Sequence, residues 1–210
     1  MAATHSTIRP VPKLLLVTDR HATGGRPLVD VVARALDAGL PAVQLRDKDL
    51  PGRELHALAV RLRDATRRTG ALLFVNDRVD VARAVDADGV QLGAASLPID
   101  VARTLLSEHR LVGASTHAPD EIMETTANFV LFGPVYDTPS KRAFGPPQGE
   151  AQLRAAVAVA RVPLLAIGGI DASNVARVRD AGAHGVAIIR AILAAPDAGI
   201  VTRAFLDTLR

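Results

Sequence analysis

The segment Arg34–Leu45, RALDAGLPAVQL, is the clearest guide to the architecture. A run with helical spacing ends at Gly39, which is placed to stop it, and a short apolar strand starts at Ala42. The same phrase returns at Arg83–Leu92, RAVDADGVQL, and more loosely at Arg179–Ile188, RDAGAHGVAI. One helix-to-strand unit recurring along a chain points to a ring of βα units. Strands are expected at Lys13–Thr18, Ala42–Arg46, Ala71–Val75, Gly89–Leu92, Leu111–Ala114, Phe129–Phe132, Pro163–Ile167 and Gly185–Ile189. Helices are expected at Leu28–Ala38, Pro51–Thr69, Val79–Val85, Pro98–Ser107, Pro119–Thr126, Glu150–Ala160, Ala172–Ala181 and Gly199–Leu209, with Asp171 as N-cap of the seventh.

The strands are rich in Val, Leu and Ile and do not alternate with polar residues, so they are buried on both faces, as parallel strands are. Eight of them alternating with helices make a single α/β domain, a (β/α)8 TIM barrel. A doubly wound open sheet is the alternative topology. Residues 1–12 read as a loose N-terminal tail and residues 13–210 as the barrel domain.

Composition narrows the function. The chain has 210 residues, 49% of them hydrophobic and only 3% aromatic, which suits aliphatic α/β layers. It has no cysteine, which excludes disulfides, thiolate metal sites and a cysteine nucleophile. No apolar run approaches the ~18 residues of a membrane span, and the first residues, MAATHSTIRPVP, do not read as a secretion signal. A cytoplasmic protein that contacts no membrane is expected. Net charge is +3 and the arginines are scattered, so no nucleic-acid partner is expected. Self-association into a homo-oligomer is left open. Only Lys13, Lys48 and Lys141 are lysines among 25 basic residues. A chain that so prefers arginine keeps lysine where a compact ammonium is wanted, or by chance.

The active end of such a barrel lies at the C-terminal ends of its strands, and the polar residues gather there. Gln44, Arg46 and Lys48 follow the second strand, and Asn76, Asp77 and Arg78 the third. Ser115 and His117 follow the fifth. After the sixth comes a long loop, Gly133–Gly149, broken by Gly and Pro and carrying Thr138-Pro139-Ser140-Lys141-Arg142. Hydroxyls, backbone N–H groups and an ammonium suit a phosphate or pyrophosphate. Gly168-Gly169 after the seventh strand matches the usual phosphate site of these barrels, within reach of Arg190. Asp77 could hold a divalent metal shared with substrate phosphates, or pair with Arg78 or Arg46. His117 suits general acid–base work, or caps the chain before Pro119.

Six motifs in this order resemble the thiamin phosphate synthase family and its sister branch, the thiazole tautomerases. They are VQLRDK (Val43–Lys48), VNDRVDVA (Val75–Ala82), DGVQLG (Asp88–Gly93), GASTH (Gly113–His117), FGPVYDTPSK (Phe132–Lys141) and AIGGI (Ala166–Ile170). The resemblance runs from Leu14 to Ile192. It implies a transferase of thiamin biosynthesis acting on phosphorylated small molecules. A pyrimidine-methyl pyrophosphate would lose pyrophosphate, and the nitrogen of a thiazole phosphate would capture the cation. By the matching motifs, Arg46, Lys48, Asn76, Thr138, Ser140 and Lys141 would grip pyrophosphate, and Asp77 would bind Mg2+. Gln44 and Ser115 would line the pyrimidine side, and Gly169, with Gly168 and Arg190 beside it, would hold the thiazole phosphate. Lys141, Ser115 and His117 are the candidates for groups at the reacting atoms.

Three positions depart from the family pattern. Ser96 stands in the stretch after the fourth strand where synthases usually carry an acidic pair, one of them a second Mg2+ ligand. Arg190 stands where synthases commonly have Ser. Pro134 stands where the best-known tautomerase has His. An isomerase acting on thiazole carboxylate phosphate, and a barrel that binds thiamin precursors without turnover, are the alternative functions.

Overall fold

Eight short parallel strands close into a barrel in chain order. They are β1 (Leu14–Val17), β2 (Ala42–Leu45), β3 (Leu72–Asn76), β4 (Gly89–Leu92), β5 (Leu111–Thr116), β6 (Phe129–Phe132), β7 (Leu164–Ile167) and β8 (Gly185–Ile188). β8 pairs back onto β1 through Leu14–Val186, Leu15–Ala187 and Leu16–Ile188, so the sheet is the expected (β/α)8 barrel and not an open one. The helices are α1 (Leu28–Asp37), α2 (Gly52–Thr69), α3 (Val79–Ala84), α4 (Ile99–Leu105), α5 (Pro119–Met123), α6 (Gly149–Val159), α7 (Val175–Asp180), α8 (Arg190–Leu193) and α9 (Ala198–Thr208). This computed structural model describes residues 9–106, 109–138 and 145–210. Among the described residues, no helix is long and apolar enough to cross a membrane.

Most boundaries fall within a residue or two of those expected; the fifth helix ends three residues early, at Met123, and the seventh starts three residues late. Asp171 does not cap the seventh helix. Its carboxylate accepts instead from the N–H and hydroxyl of Ser173, and the helix starts three residues beyond the expected place, after Asn174. β5 extends to Thr116 because Ser115 and Thr116 pair with Leu131 and Phe132. A one-turn helix, Arg190–Leu193, stands between β8 and α9, and a 3-10 turn, Arg20–Ala22, follows β1.

Two apolar layers sandwich the strands. On β3, Leu73 and Val75 point to the helices, while Leu72 and Phe74 fill the barrel interior with Leu15, Val17, Phe129, Leu131 and Leu165. Side chains of this size contribute about 1.5–3 kcal/mol each when fully buried. The rings of Phe74 and Phe129 meet edge to face, 5.3 Å between centroids at 72°. Room for them comes from Gly113, where a Cβ would lie 2.4 Å from Phe129 Cζ.

The period of two also places the site. One step further up the interior from Ala42, Phe74, Gly89 and Gly113 stand Gln44, Asn76, Gln91 and Ser115, a polar layer at the C-terminal mouth. The opposite end is built for stability. There Arg63 Nη1 lies 2.5 Å from Asp88 Oδ2, which also accepts the Leu73 N–H at 2.8 Å. Lys13 at the same end donates to the last turn of α9 through Leu209 O at 3.1 Å, so its ammonium serves the fold and not the mouth.

Candidate active site

A chain of hydrogen bonds crosses the ends of three neighbouring strands. Gln44, 2% exposed, donates from Nε2 to Asn76 Oδ1 at 3.1 Å. Asn76 Nδ2 donates to Asp77 Oδ2 at 2.7 Å. Ser96 Oγ, after β4, accepts the Gly93 N–H at 2.6 Å and donates to Asp77 Oδ1. Both oxygens of the half-buried Asp77 therefore carry neutral donors. The residue reaches this place with φ +59°, an uncommon left-handed conformation for a residue with a side chain, held by its N–H to Gln91 O at 3.0 Å. No cation offsets it among the described residues. Arg78 turns to Asp80 instead, with Nε–Oδ1 2.8 Å and Nη2–Oδ2 2.6 Å, and holds that carboxyl below its ordinary range. Neither the Asp77–Arg78 nor the Asp77–Arg46 pair, the alternative to a metal at Asp77, forms among the described residues.

A third amide, which the sequence reading does not single out, stands beside these two. Gln91, 1% exposed, donates from Nε2 to Ser115 Oγ at 3.1 Å. The signal was present, because Gln44 and Gln91 fill the same place in the repeated VQL phrase. The Oε1 atoms of both glutamines are buried without a partner among the described residues. A buried amide oxygen without a donor is costly, so these two acceptors suit a ligand that brings N–H groups.

The cations follow β2. The Arg46 backbone N–H donates to Thr18 Oγ1 at 2.8 Å, and its side chain is half-buried, whereas Lys48 is exposed. Neither charged group has a partner among the described residues. On the other side of the mouth, the chain after β6 runs beside the chain after β7. Val135 N–H donates to Ile167 O at 2.9 Å and Tyr136 N–H to Gly168 O at 3.0 Å. Gly169 lies under this segment, where a Cβ would be 2.6 Å from Asp137 O, and its carbonyl is held by Asn174 Nδ2 at 2.9 Å. Tyr136 is fixed from outside. Its hydroxyl donates to Glu150 Oε1 at 3.0 Å and Arg177 stacks 5.6 Å from the ring centre; burial, then Glu150, push the hydroxyl above its ordinary pKa.

Arg190 is the exposed first residue of α8, after β8, on the same side as the glycine pair. His117 stands just past β5 with Nδ1 2.6 Å from Gly133 O, so one ring nitrogen anchors the chain after β6. Thr138 is half-buried at the end of the described segment. Ser140 and Lys141 lie outside the described residues.

The thiamine monophosphate synthase family model matches residues 14–192, most of the chain. The chain belongs to this family. A putative thiamine-phosphate synthase of Geobacter sulfurreducens is 49% identical over 199 residues, covering 93% of each chain. A thiamine-phosphate synthase of Roseiflexus castenholzii is 44% identical over 91% of this chain and 86% of its own length. The solved thiamine phosphate pyrophosphorylase of Pyrococcus furiosus superposes with a TM-score of 0.86 at 38% identity, covering 94% of this chain and 95% of the other. The resemblance read from the six motifs and the barrel are thereby both borne out.

The Mg2+ expected from the family can be tested against the residues present. Among the described residues, no group of three His, Asp or Glu is placed to hold a metal. Mg2+ does not require one, because it is commonly held by one or two carboxylates with water and substrate phosphates. Asp77 meets that need: its carboxylate is fixed, has no cation upon it among the described residues, and stands just past β3, next to the strand that leads to Arg46 and Lys48.

Proposed function

We propose that this member of the thiamine monophosphate synthase family is a transferase of thiamin biosynthesis that joins a pyrimidine-methyl pyrophosphate to thiazole phosphate and releases pyrophosphate. The match along nearly the whole chain to relatives named thiamine-phosphate synthase carries the reading. The chemistry of the mouth agrees with it. Arg46 and Lys48, with Asn76 and the segment Thr138–Lys141, grip the diphosphate. Charge-assisted bonds to phosphate are among the strongest a protein makes. The Gly168-Gly169 turn, with Arg190, takes the thiazole phosphate across the barrel, so two anions bind at separate places.

The reaction breaks the bond between the pyrimidine methylene carbon and a diphosphate oxygen, and the electron pair leaves with pyrophosphate. The thiazole nitrogen lone pair then forms the new carbon–nitrogen bond. No side-chain nucleophile is required; the protein's task is to neutralise the leaving group and hold the partners in line. Lys141 belongs at the departing oxygens. Gln44 and Ser115 orient the pyrimidine ring, Ser115 itself held by Gln91. His117, which no proton transfer in this reaction calls on, holds the chain after β6 beside the site through Nδ1. Asp77 would hold a bound Mg2+, which offsets charge on the departing diphosphate.

One observation favours a second reading. Ser96 donates to Asp77 where a second carboxylate would complete the metal site, which suits an isomerase acting on thiazole carboxylate phosphate. A two-substrate assay with and without Mg2+ separates the two. The transferase forms thiamin phosphate and pyrophosphate with Mg2+, and loses this in Asp77→Ala and Lys141→Ala. Turnover of the thiazole compound alone, without metal and surviving Asp77→Ala, would replace it with the isomerase. Binding of thiazole phosphate without any turnover would leave only a binding barrel.

A further inference from the structure

The residues that leave β1 hold the loop of the neighbouring strand. Thr18, wholly buried, donates its N–H to Gln44 O at 2.9 Å, and its Oγ1 accepts the Arg46 N–H at 2.8 Å. Asp19 caps the following 3-10 turn by accepting the His21 N–H at 3.0 Å. The turn sends Arg20 across to the same loop. Its Nη1 donates to Asp47 Oδ1, and it forks onto Asp49 through Nη1–Oδ1 at 2.8 Å and Nη2–Oδ2 at 2.6 Å. The Asp47 side chain is only 2% exposed.

The loop reads Arg46-Asp47-Lys48-Asp49, two cations interleaved with two carboxylates. Left to itself it is neutral, and its own aspartates compete with any incoming anion for Arg46 and Lys48. In the structure both aspartates are engaged by Arg20, while Arg46 and Lys48 have no partner among the described residues. We infer that Arg20 is a positioning residue for the diphosphate site: it draws Asp47 and Asp49 away and leaves the two cations of this loop for the ligand. The inference rests on the proposed grip of diphosphate by Arg46 and Lys48. Planar forked geometry matters here, because a lysine ammonium offers a point charge and cannot fork onto Asp49 while reaching Asp47. The guanidinium holds the Asp49 carboxyl well below its ordinary range, whereas burial pushes the Asp47 carboxyl up against the pull of Arg20, so the charge paired at neutral pH is chiefly that of Asp49.

The test uses the full chain, inorganic pyrophosphate as binding probe, and the two-substrate assay. Arg20→Met should weaken pyrophosphate binding and raise KM for the pyrimidine pyrophosphate by about 10–100-fold, the range seen when an outer partner of a metal ligand is lost, carried over here to an anion site. KM for thiazole phosphate should stay within about twofold, since that phosphate binds across the barrel. Arg20→Lys should fall between. Adding Asp49→Asn to Arg20→Met should recover part of the pyrophosphate affinity, which repair of folding alone would not do; melting temperatures of all variants check folding separately. Unchanged pyrophosphate affinity in Arg20→Met, an equal rise in both KM values, or no recovery in the double variant would overturn the inference. A wild-type protein that binds pyrophosphate but makes no thiamin phosphate sinks the transferase reading alone. One that does not bind pyrophosphate sinks both.

Discussion

Two glycines with nearly the same backbone angle offer an internal control. Gly24, after the Arg20–Ala22 turn, has φ +64°, and a Cβ added there would meet nothing within 4 Å; Gly169 has φ +63° and sits under the chain after β6. An alanine at either place carries the left-handed penalty, about 1–2 kcal/mol. At Gly169 the new Cβ would also fall 2.6 Å from Asp137 O and 2.7 Å from Tyr136 Cβ, both closer than real contacts allow. Overpacking of this kind costs about 1–3 kcal/mol. Gly24→Ala should thus lower stability by roughly 1–2 kcal/mol and Gly169→Ala by roughly 2–5 kcal/mol. For a chain of this size each kcal/mol shifts the melting temperature by about 2–4 °C. Thermal unfolding of both variants measures the difference, which isolates the contact from the backbone angle. Gly169→Ala should also raise KM for thiazole phosphate, because the displaced segment is tied to the glycine turn by Tyr136 N–H to Gly168 O. If Gly169→Ala melts within about 2 °C of Gly24→Ala, the close approach of the two segments is not what glycine provides there.

Three further outcomes are expected. Asp88→Asn leaves Arg63, 8% exposed, without its carboxylate and should cost about 3–5 kcal/mol in urea unfolding, partly recovered by adding Arg63→Met. Ser96→Asp places a second carboxylate beside Asp77; it should lower the melting temperature without metal and enlarge the stabilisation that Mg2+ gives, both read from melts across a Mg2+ series. Asp197 caps α9 by accepting the N–H groups of Gly199 and Ile200, and these bonds depress its carboxyl below the ordinary 3.8. A depressed folded-state pKa adds stability that is present above the unfolded value and is lost as pH falls through the folded one. The melting difference between wild type and Asp197→Ala should therefore be full near neutrality and shrink in acid below pH 3.8, and a difference independent of pH would remove the charge from the explanation.

The barrel was legible because its signals are local and repeated. RALDAGLPAVQL and RAVDADGVQL each specify the end of a helix and the start of a buried strand within a dozen residues, and the unit recurs often enough to close a ring. The seventh helix starts later than its sequence suggests for an equally local reason. Asp171 is a good capping residue, but it has a nearer use on Ser173, and sequence does not rank two short-range bonds of similar strength.

For the site, strand order and a period of two already place the chemical groups at the ends of the strands: Gln44, Arg46, Lys48, Asn76, Asp77, Ser115, the Gly168-Gly169 pair and Arg190. Their partners are set by the folded barrel alone. Asp77 ends on Asn76 and Ser96 and not on an arginine, and Arg20 from the neighbouring strand takes the two aspartates that flank Lys48. The physical reason is that a strand's direction and facing are set by its own residues. Which charge meets which is a matter of distance across the mouth, fixed only once the ring has closed.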